Sequence, residues 1–226
     1  MTKYLFEKIV DLSHSLENDM PVYPGDTRTL LEPTSTIPKD GLNLTKVIMS
    51  SHAGTHVDSP SHFVEKGLTI DQIPARKFAG EAVVIDASST PIGSAVNIDS
   101  LHLGTAYNKV EIGEDDFVLF YTGSSELWGN PIVEKKYTFL SEALVKKLVK
   151  NRVRAVGIDS FSVDSFDSIT FPVHKELLSN GPFIIESLAN PLKQFLGKRI
   201  FLICPPLKLA SKDGAPCRCL AVPIIE

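Results

Sequence analysis

The chain has little of what several function classes require. Its three cysteines, Cys204, Cys217 and Cys219, are an odd number and form no CxxC pair, which excludes a disulfide framework and a thiolate zinc site. They read as buried thiols in strands. Basic residues are not in excess: 23 Lys and Arg against 27 Asp and Glu leave a net charge of -4, so nucleic-acid binding has no electrostatic support. No apolar run approaches membrane-spanning length. The amino-terminal MTKYLFEKIVDLSH is interrupted by Lys3, Glu7, Lys8 and Asp11 and lacks the apolar core of a signal peptide. Repeats, low-complexity tracts and linkers are also missing. The expectation is a soluble, cytoplasmic protein whose partners are small molecules or sister subunits, with no nucleic acid and no membrane.

What is present suits one compact domain over residues 1–226, since 43% hydrophobic composition supports a substantial core. Apolar, β-branched runs predict strands at Lys8 to Leu12, Leu42 to Met49, Ala82 to Asp86, Phe117 to Tyr121, Val153 to Asp159, Phe183 to Glu186, Arg199 to Cys204 and Cys219 to Ile225. The clearest helix is SEALVKKLVKN, with Ser141 as cap, Leu144, Val145, Leu148 and Val149 on one face, and Asn151 at its end. It runs into the strand VRAVGID. Shorter helical turns are expected near Asp71 to Ile73, Asp99 to Leu103, Lys175 to Leu178 and Asn190 to Phe195. The fold class is α/β, or mixed α+β.

The chemistry concentrates in SHAGTHVDSPSHF, Ser51 to Phe63, which holds His52, His56, Asp58 and His62, half of the six histidines included. Imidazole and carboxylate are ligands for zinc or manganese, and water on such a metal becomes a nucleophile near neutral pH. Two ligands of one ion need donors roughly 3 Å apart. An extended strand would separate His52 from His56 by about 13 Å. Gly54 and Pro60 favour a tight connection that folds these side chains around one point. The competing reading is a loop whose histidines only hydrogen-bond their neighbours.

Other residues gain weight from that company. Glu186 closes the apolar run Phe183 to Ile185, where an unpaired carboxylate would be costly, and His174 begins a helical turn. Both are candidate ligands from a distant segment, or else a strand-end residue and a helix cap. Asp159, Ser162 and Asp164 follow a strand, where α/β sites are assembled, and either orient ligands or a nearby loop, or cap a local turn. In DMPVYPGD, Tyr23 sits between two prolines and either walls a ligand pocket or packs on the surface. His14 borders the pocket on this reading, His102 has no motif around it, and Asp213-Gly214 marks a turn.

HAGTHVDSPSH resembles the HxGTHxDxPxH pattern of the metal-dependent cyclase family, which includes bacterial kynurenine formamidases and isatin hydrolases. DLSH at Asp11 to His14, PVYPGD, YTGSSELWG, VGIDSFSVD, FPVHKELLSNGPFIIESLAN and DGAPCR extend the resemblance over almost the whole chain. It implies a swivelling β/β/α fold, usually in a homo-oligomer (dimer or tetramer), that hydrolyses a compact amide, lactam or ester with one or two divalent ions. By motif, His52, His56 and Asp58 resemble ligands of one metal, with Asp58 bridging to a second ion held by His174 and Glu186, and His62 resembles the general acid/base. The kynurenine-formamidase branch would carry tryptophan where this chain has Tyr23. Isatin hydrolases tend to carry an amide where it has Glu186.

Three functions follow as expectations: hydrolysis of N-formylkynurenine or a related aryl formamide to amine and formate; an isatin-hydrolase-like, lactone or lactam hydrolase (cyclase) of the same family; and a non-catalytic protein that keeps a structural metal and binds a small molecule. An open coordination position separates the last from the first two.

Overall fold

The computed structural model describes residues 3–4, 6–101, 110–131 and 135–225. His102 and the last part of the turn expected near Asp99 to Leu103 lie outside them; as far as Leu101 that segment is a 3-10 turn, Ile98–Leu101. The strands are β1 (Lys3–Tyr4), β2 (Val10–Asp11), β3 (Leu30–Ser35), β4 (Leu44–Ile48), β5 (His56–Asp58), β6 (Ala79–Asp86) and β7 (Ala95–Val96). They continue with β8 (Phe117–Tyr121), β9 (Phe139–Leu140), β10 (Ala155–Ile158), β11 (Phe183–Glu186), β12 (Arg199–Ile203), β13 (Gly214–Pro216) and β14 (Leu220–Ile225). Among the described residues, one sheet runs β1-β14-β12-β6-β8-β10-β11-β5-β13, with β2 also on β14. Its centre, β6-β8-β10-β11, is parallel and its flanks are antiparallel. The fold is mixed α/β around a curled sheet.

The period of two along each central strand divides the core. Val84, Leu119, Val57 and Ile185 enter the concave side with Leu12, Phe78, Leu192 and Leu202. Val83, Val118, Val156 and Ile184 face two helices. These are α2 (Glu142–Lys150) and α3 (Pro172–Ser179), and a single helical turn, α1 (Ile37–Asp40), joins β3 to β4. In α2 the Ser141 side chain accepts the Leu144 N–H, as expected of a cap, and Leu144, Val145 and Leu148 are buried. The two helices supply two of the crossovers that the parallel strands need, α2 leading from β8 into β10 and α3 from β10 into β11. Among the described residues no helix is long and apolar enough to cross a membrane.

Several expectations need correction. The strand expected over Leu42 to Met49 exists, but β4 is exposed along its whole length and pairs only with β3 in a separate two-stranded ribbon. A short apolar, β-branched run here forms a solvated ribbon, which sequence pattern cannot tell from a buried strand. The cysteines lie beside strands instead of within them: Cys204 just past β12, Cys217 and Cys219 between β13 and β14. Cys204 and Cys219 are buried, Cys217 partly so. The Asp213-Gly214 turn is the entry to β13, whose Gly214 pairs with Asp58.

Truncating Leu148 to Ala removes a fully buried side chain from the α2 interface and should cost about 2–5 kcal/mol. Ser141→Ala should cost about 1 kcal/mol. Urea unfolding of the two variants checks this, and equal losses would contradict the packing described.

Candidate metal centre and its cleft

The segment 51–63 is a turn, then the three-residue strand β5, then a 3-10 turn over Pro60–His62. Gly54 takes a positive φ of 61°, and a Cβ there would stand 3.0 Å from Leu16. This bend carries the chain from His52 into β5, a strand next to the sheet's edge, between β11 and the edge strand β13, where the sequence pattern predicts a tight connection. The strand works because its neighbours supply the rest. Val57 points into the concave core, so His56 and Asp58 share the opposite face, the face on which α3 lies. Glu186 of β11 pairs with His56 in register and joins them.

His174 comes from the first turn of α3. Phe171 before it is left-handed (φ 47°) although followed by Pro172, a strained junction of the kind found at functional sites. Asp164 accepts the N–H groups of Val173 (3.0 Å) and His174 (2.9 Å), capping the helix, and takes the His174 Nδ1–H at 2.7 Å. One carboxylate thereby fixes both the helix and the ring.

The structure brings His52, His56, Asp58, His174 and Glu186 to one point. Asp58 Oδ1 lies 2.8 Å from His52 Nδ1 and 3.3 Å from His56 Nε2, and Oδ2 lies 3.6 Å from His174 Nε2. Glu186 Oε1 is 3.3 Å from His174 Nε2, and Oε2 is 3.5 Å from His56 Nε2. Donor atoms of His52, His56 and Asp58 fall within 4.8 Å of one another, as do those of Asp58, His62 and His174. The cluster fits a divalent cation on two grounds. Nε2 of His56 and Oδ2 of Asp58 are buried without a hydrogen bond, an expensive state unless something else binds them. The outer nitrogens are tied off: His56 Nδ1–H donates to the Gly54 carbonyl at 2.8 Å and His174 Nδ1–H to Asp164. Metal-ligating histidines are oriented in this way.

Without a cation, protons hold the charges together. Burial works against a charged His52, yet Asp58 and then Asp213 outweigh it and raise its pKa to about 9. At His56 burial is likewise outweighed by Asp58 and Glu186, which raise it to about 10. His174 is held well above its ordinary value against burial, by Glu186 and Asp164. Burial would push the Asp58 carboxyl up, but His52 and His56 hold it well below the usual range. His62, in the 3-10 turn Pro60–His62, differs: burial pulls its pKa down.

A cleft of about 740 Å³, its open mouth included, leads to the cluster, walled by Tyr23, Phe63, Trp128, Phe161 and Phe171. Tyr23 and His62 both line it. Ser162 lines it too and accepts the Asp164 N–H. Asp159 stands apart, accepting the N–H groups of Thr122, Gly123 and Ser125 and the hydroxyls of Thr122 and Ser125. It organises the loop that carries Trp128. His14 stacks on Trp128 (3.7 Å between ring centroids, 11°) and so backs the wall, neutral because burial lowers its pKa to about 4.

Residues 10–165 match a family described as putative cyclase. The chain belongs to that family. Kynurenine formamidase of Bacillus cytotoxicus is 30% identical over 216 residues, covering 95% of this chain and 97% of the relative. That of Salinibacter ruber is 31% identical over 216 residues, covering 93% and 95%. Isatin hydrolase A from Labrenzia aggregata, solved bound to benzyl benzoate, superposes with a TM-score of 0.84 at 28% identity, covering 95% of this chain and 93% of that one. A structure described as a potential metal-dependent hydrolase with cyclase activity gives 0.78 at 30% identity, covering 95% and 97%. These relatives are hydrolases, and the chain is an enzyme of the same kind, with the donor set of metal-dependent amide hydrolysis.

Two features escaped the sequence reading. Asp213 reads as a turn residue in the sequence, yet its Oδ2 lies 2.8 Å from His52 Nε2 and 3.2 Å from His62 Nδ1. Only strand pairing brings it there, although DGAPCR was a signal. Trp128, the one tryptophan, stands in the YTGSSELWG stretch, whose pattern alone gives it no role.

The raised imidazole pKa values stabilise the cation-free fold below pH 6.5, and that contribution is lost as pH rises through about 9 to 10. The depressed Asp58 stabilises above its ordinary value of 3.8 and loses this as pH falls. Chelator-treated protein should therefore lose thermal stability above pH 9. Cation uptake should reverse the trend, tightening with pH and releasing protons at pH 7. Calorimetry in buffers of different ionisation enthalpy measures the release; uptake without it would contradict the charge assignment.

Proposed function

We propose that the protein hydrolyses the C–N bond of an aryl formamide, N-formylkynurenine or a close relative, to an aromatic amine and formate. The observation that carries this reading is the meeting of a tied-off imidazole and carboxylate cluster with an aromatic-walled cleft, with His62 at their junction. His52 Nδ1, His56 Nε2 and Asp58 Oδ1 would hold one divalent ion. Asp58 Oδ2, His174 Nε2 and Glu186 would hold a second. Zinc or manganese suits nitrogen and oxygen donors without thiolate. When bound, such a cation supplies acidification of water and polarisation of a carbonyl.

The remaining work falls to the chain. Tyr23, Trp128, Phe161 and Phe171 take the aryl ring and exclude bulk water. His62 takes up a proton as water attacks the formyl carbon and returns it to the leaving nitrogen as the C–N bond breaks. Its lowered pKa keeps the ring neutral at pH 7, ready to accept that proton. On this reading the enzyme is cytoplasmic, homo-oligomeric and partnered by a small-molecule substrate. The likeness to isatin hydrolase A favours a second reading, opening of a lactam ring by the same groups.

His62→Ala should lower kcat by about a hundred- to ten-thousand-fold with cation content unchanged. His52→Ala and Asp58→Ala should lose cation and activity together. Elemental analysis beside assays on formylkynurenine, isatin and a lactone checks these outcomes. Normal turnover by metallated His62→Ala would refute its role, and preference for isatin would select the lactam reading.

A further inference from the structure

Asp213 has no part in the reaction described so far, yet it occupies the gap between the cation cluster and His62. Its Oδ2 is 2.8 Å from His52 Nε2 and 3.2 Å from His62 Nδ1, and the two rings lie 4.2 Å apart. The carboxylate is itself held. Ser51 Oγ donates to Oδ1 at 3.2 Å, while the Asp213 carbonyl accepts from the Ser59 N–H and hydroxyl, both at 2.8 Å. The register Gly214↔Asp58 sets its distance from the cluster. Gly214 has no room for a side chain, because a Cβ would stand 2.8 Å from His52 Cε1 and from the Val57 carbonyl. This close approach lets β13 deliver the carboxylate.

We infer that Asp213 is a positioning residue serving two histidines through one oxygen. A carboxylate only accepts, so both His52 nitrogens carry protons while Asp58 and Asp213 are their partners; when a cation takes the place of the Nδ1 proton that faces Asp58, Asp213 keeps the remaining proton on Nε2. The same oxygen, 3.2 Å from His62 Nδ1, favours a proton on that nitrogen, which leaves Nε2 as the one that exchanges protons with substrate. Asp213 thus does for His52 what Gly54 and Asp164 do for His56 and His174, and it also fixes the acid/base. The His52 half stands on geometry alone, and the His62 half rests on the hydrolase reading above.

The test compares wild-type protein with Asp213→Ala, Asp213→Asn and Asp213→Glu. Zinc affinity is read by competition with a chromophoric chelator, and the His52 tautomer by nitrogen-15 NMR of the zinc-loaded protein. Steady-state kinetics on formylkynurenine are measured at saturating zinc. Expected are a zinc affinity about 10- to 100-fold weaker in Asp213→Ala at unchanged saturating stoichiometry and wild-type His52 protonated at Nε2. A fall in kcat with KM little changed, and partial recovery in Asp213→Glu, are also expected. Loss of one equivalent of zinc would make Asp213 a ligand and overturn the proposal. Unchanged affinity and kcat in Asp213→Ala, or wild-type His52 protonated at Nδ1, would also overturn it. Wild-type protein that binds zinc but turns over no formamide or lactam would sink the hydrolase reading, while the affinity and tautomer measurements would still decide the role of Asp213 at His52.

Discussion

Asp58 is wholly buried and ionised, and the centre of the molecule is arranged around that fact. An isolated carboxylate in such a place is too costly to keep charged. Three imidazoles surround it, and Glu186, a second buried carboxylate, shares two of them. The cluster can be balanced by protons or by a divalent cation. The outer nitrogens of His56 and His174, already fastened to Gly54 and Asp164, favour the cation, because their inner nitrogens need no rearrangement to meet it.

Backbone pairing assembles this arrangement from four regions of the chain. β5 is only three residues long, but it lies between β11 and β13, so its register fixes His56 against Glu186 and Asp58 against Gly214. The opposite faces of the same strands, Val57, Ile185 and Ala215, are buried in the concave core. A slip by one residue would turn those apolar side chains toward α3 and drive His56, Asp58 and Glu186 into the apolar core, so packing and site geometry enforce each other. The helix α3 then closes the cluster from above, anchored by Asp164.

The apolar strands β8 and β11 were legible to the residue, as were the capped start of α2 and the metal-ligand types in the 51–63 segment, because each is a local pattern of burial or donor chemistry. The inclusion of β5 in the sheet was not legible. Its two polar residues of three read as a turn, and only Glu186 and Gly214, more than a hundred residues away, make it a strand. Asp213 was missed for the same reason: DG is a turn signal locally and becomes a contact to His52 only through long-range pairing. Asp159 shows the converse, since its position after a strand suggested the site while its hydrogen bonds serve the Trp128 loop.

The family relationship and the geometry meet at the same residues. Hydrolase relatives span nearly the whole chain, and the cluster sits at the floor of an aromatic cleft sized for a compact substrate. The most direct test is a crystal structure of the manganese-soaked protein with anomalous scattering recorded at the metal edge. The account predicts an anomalous peak bounded by His52 Nδ1, His56 Nε2 and Asp58 at metal-ligand distances. A cluster left without a peak at saturating manganese, its rings still paired to the carboxylates through protons, would contradict it.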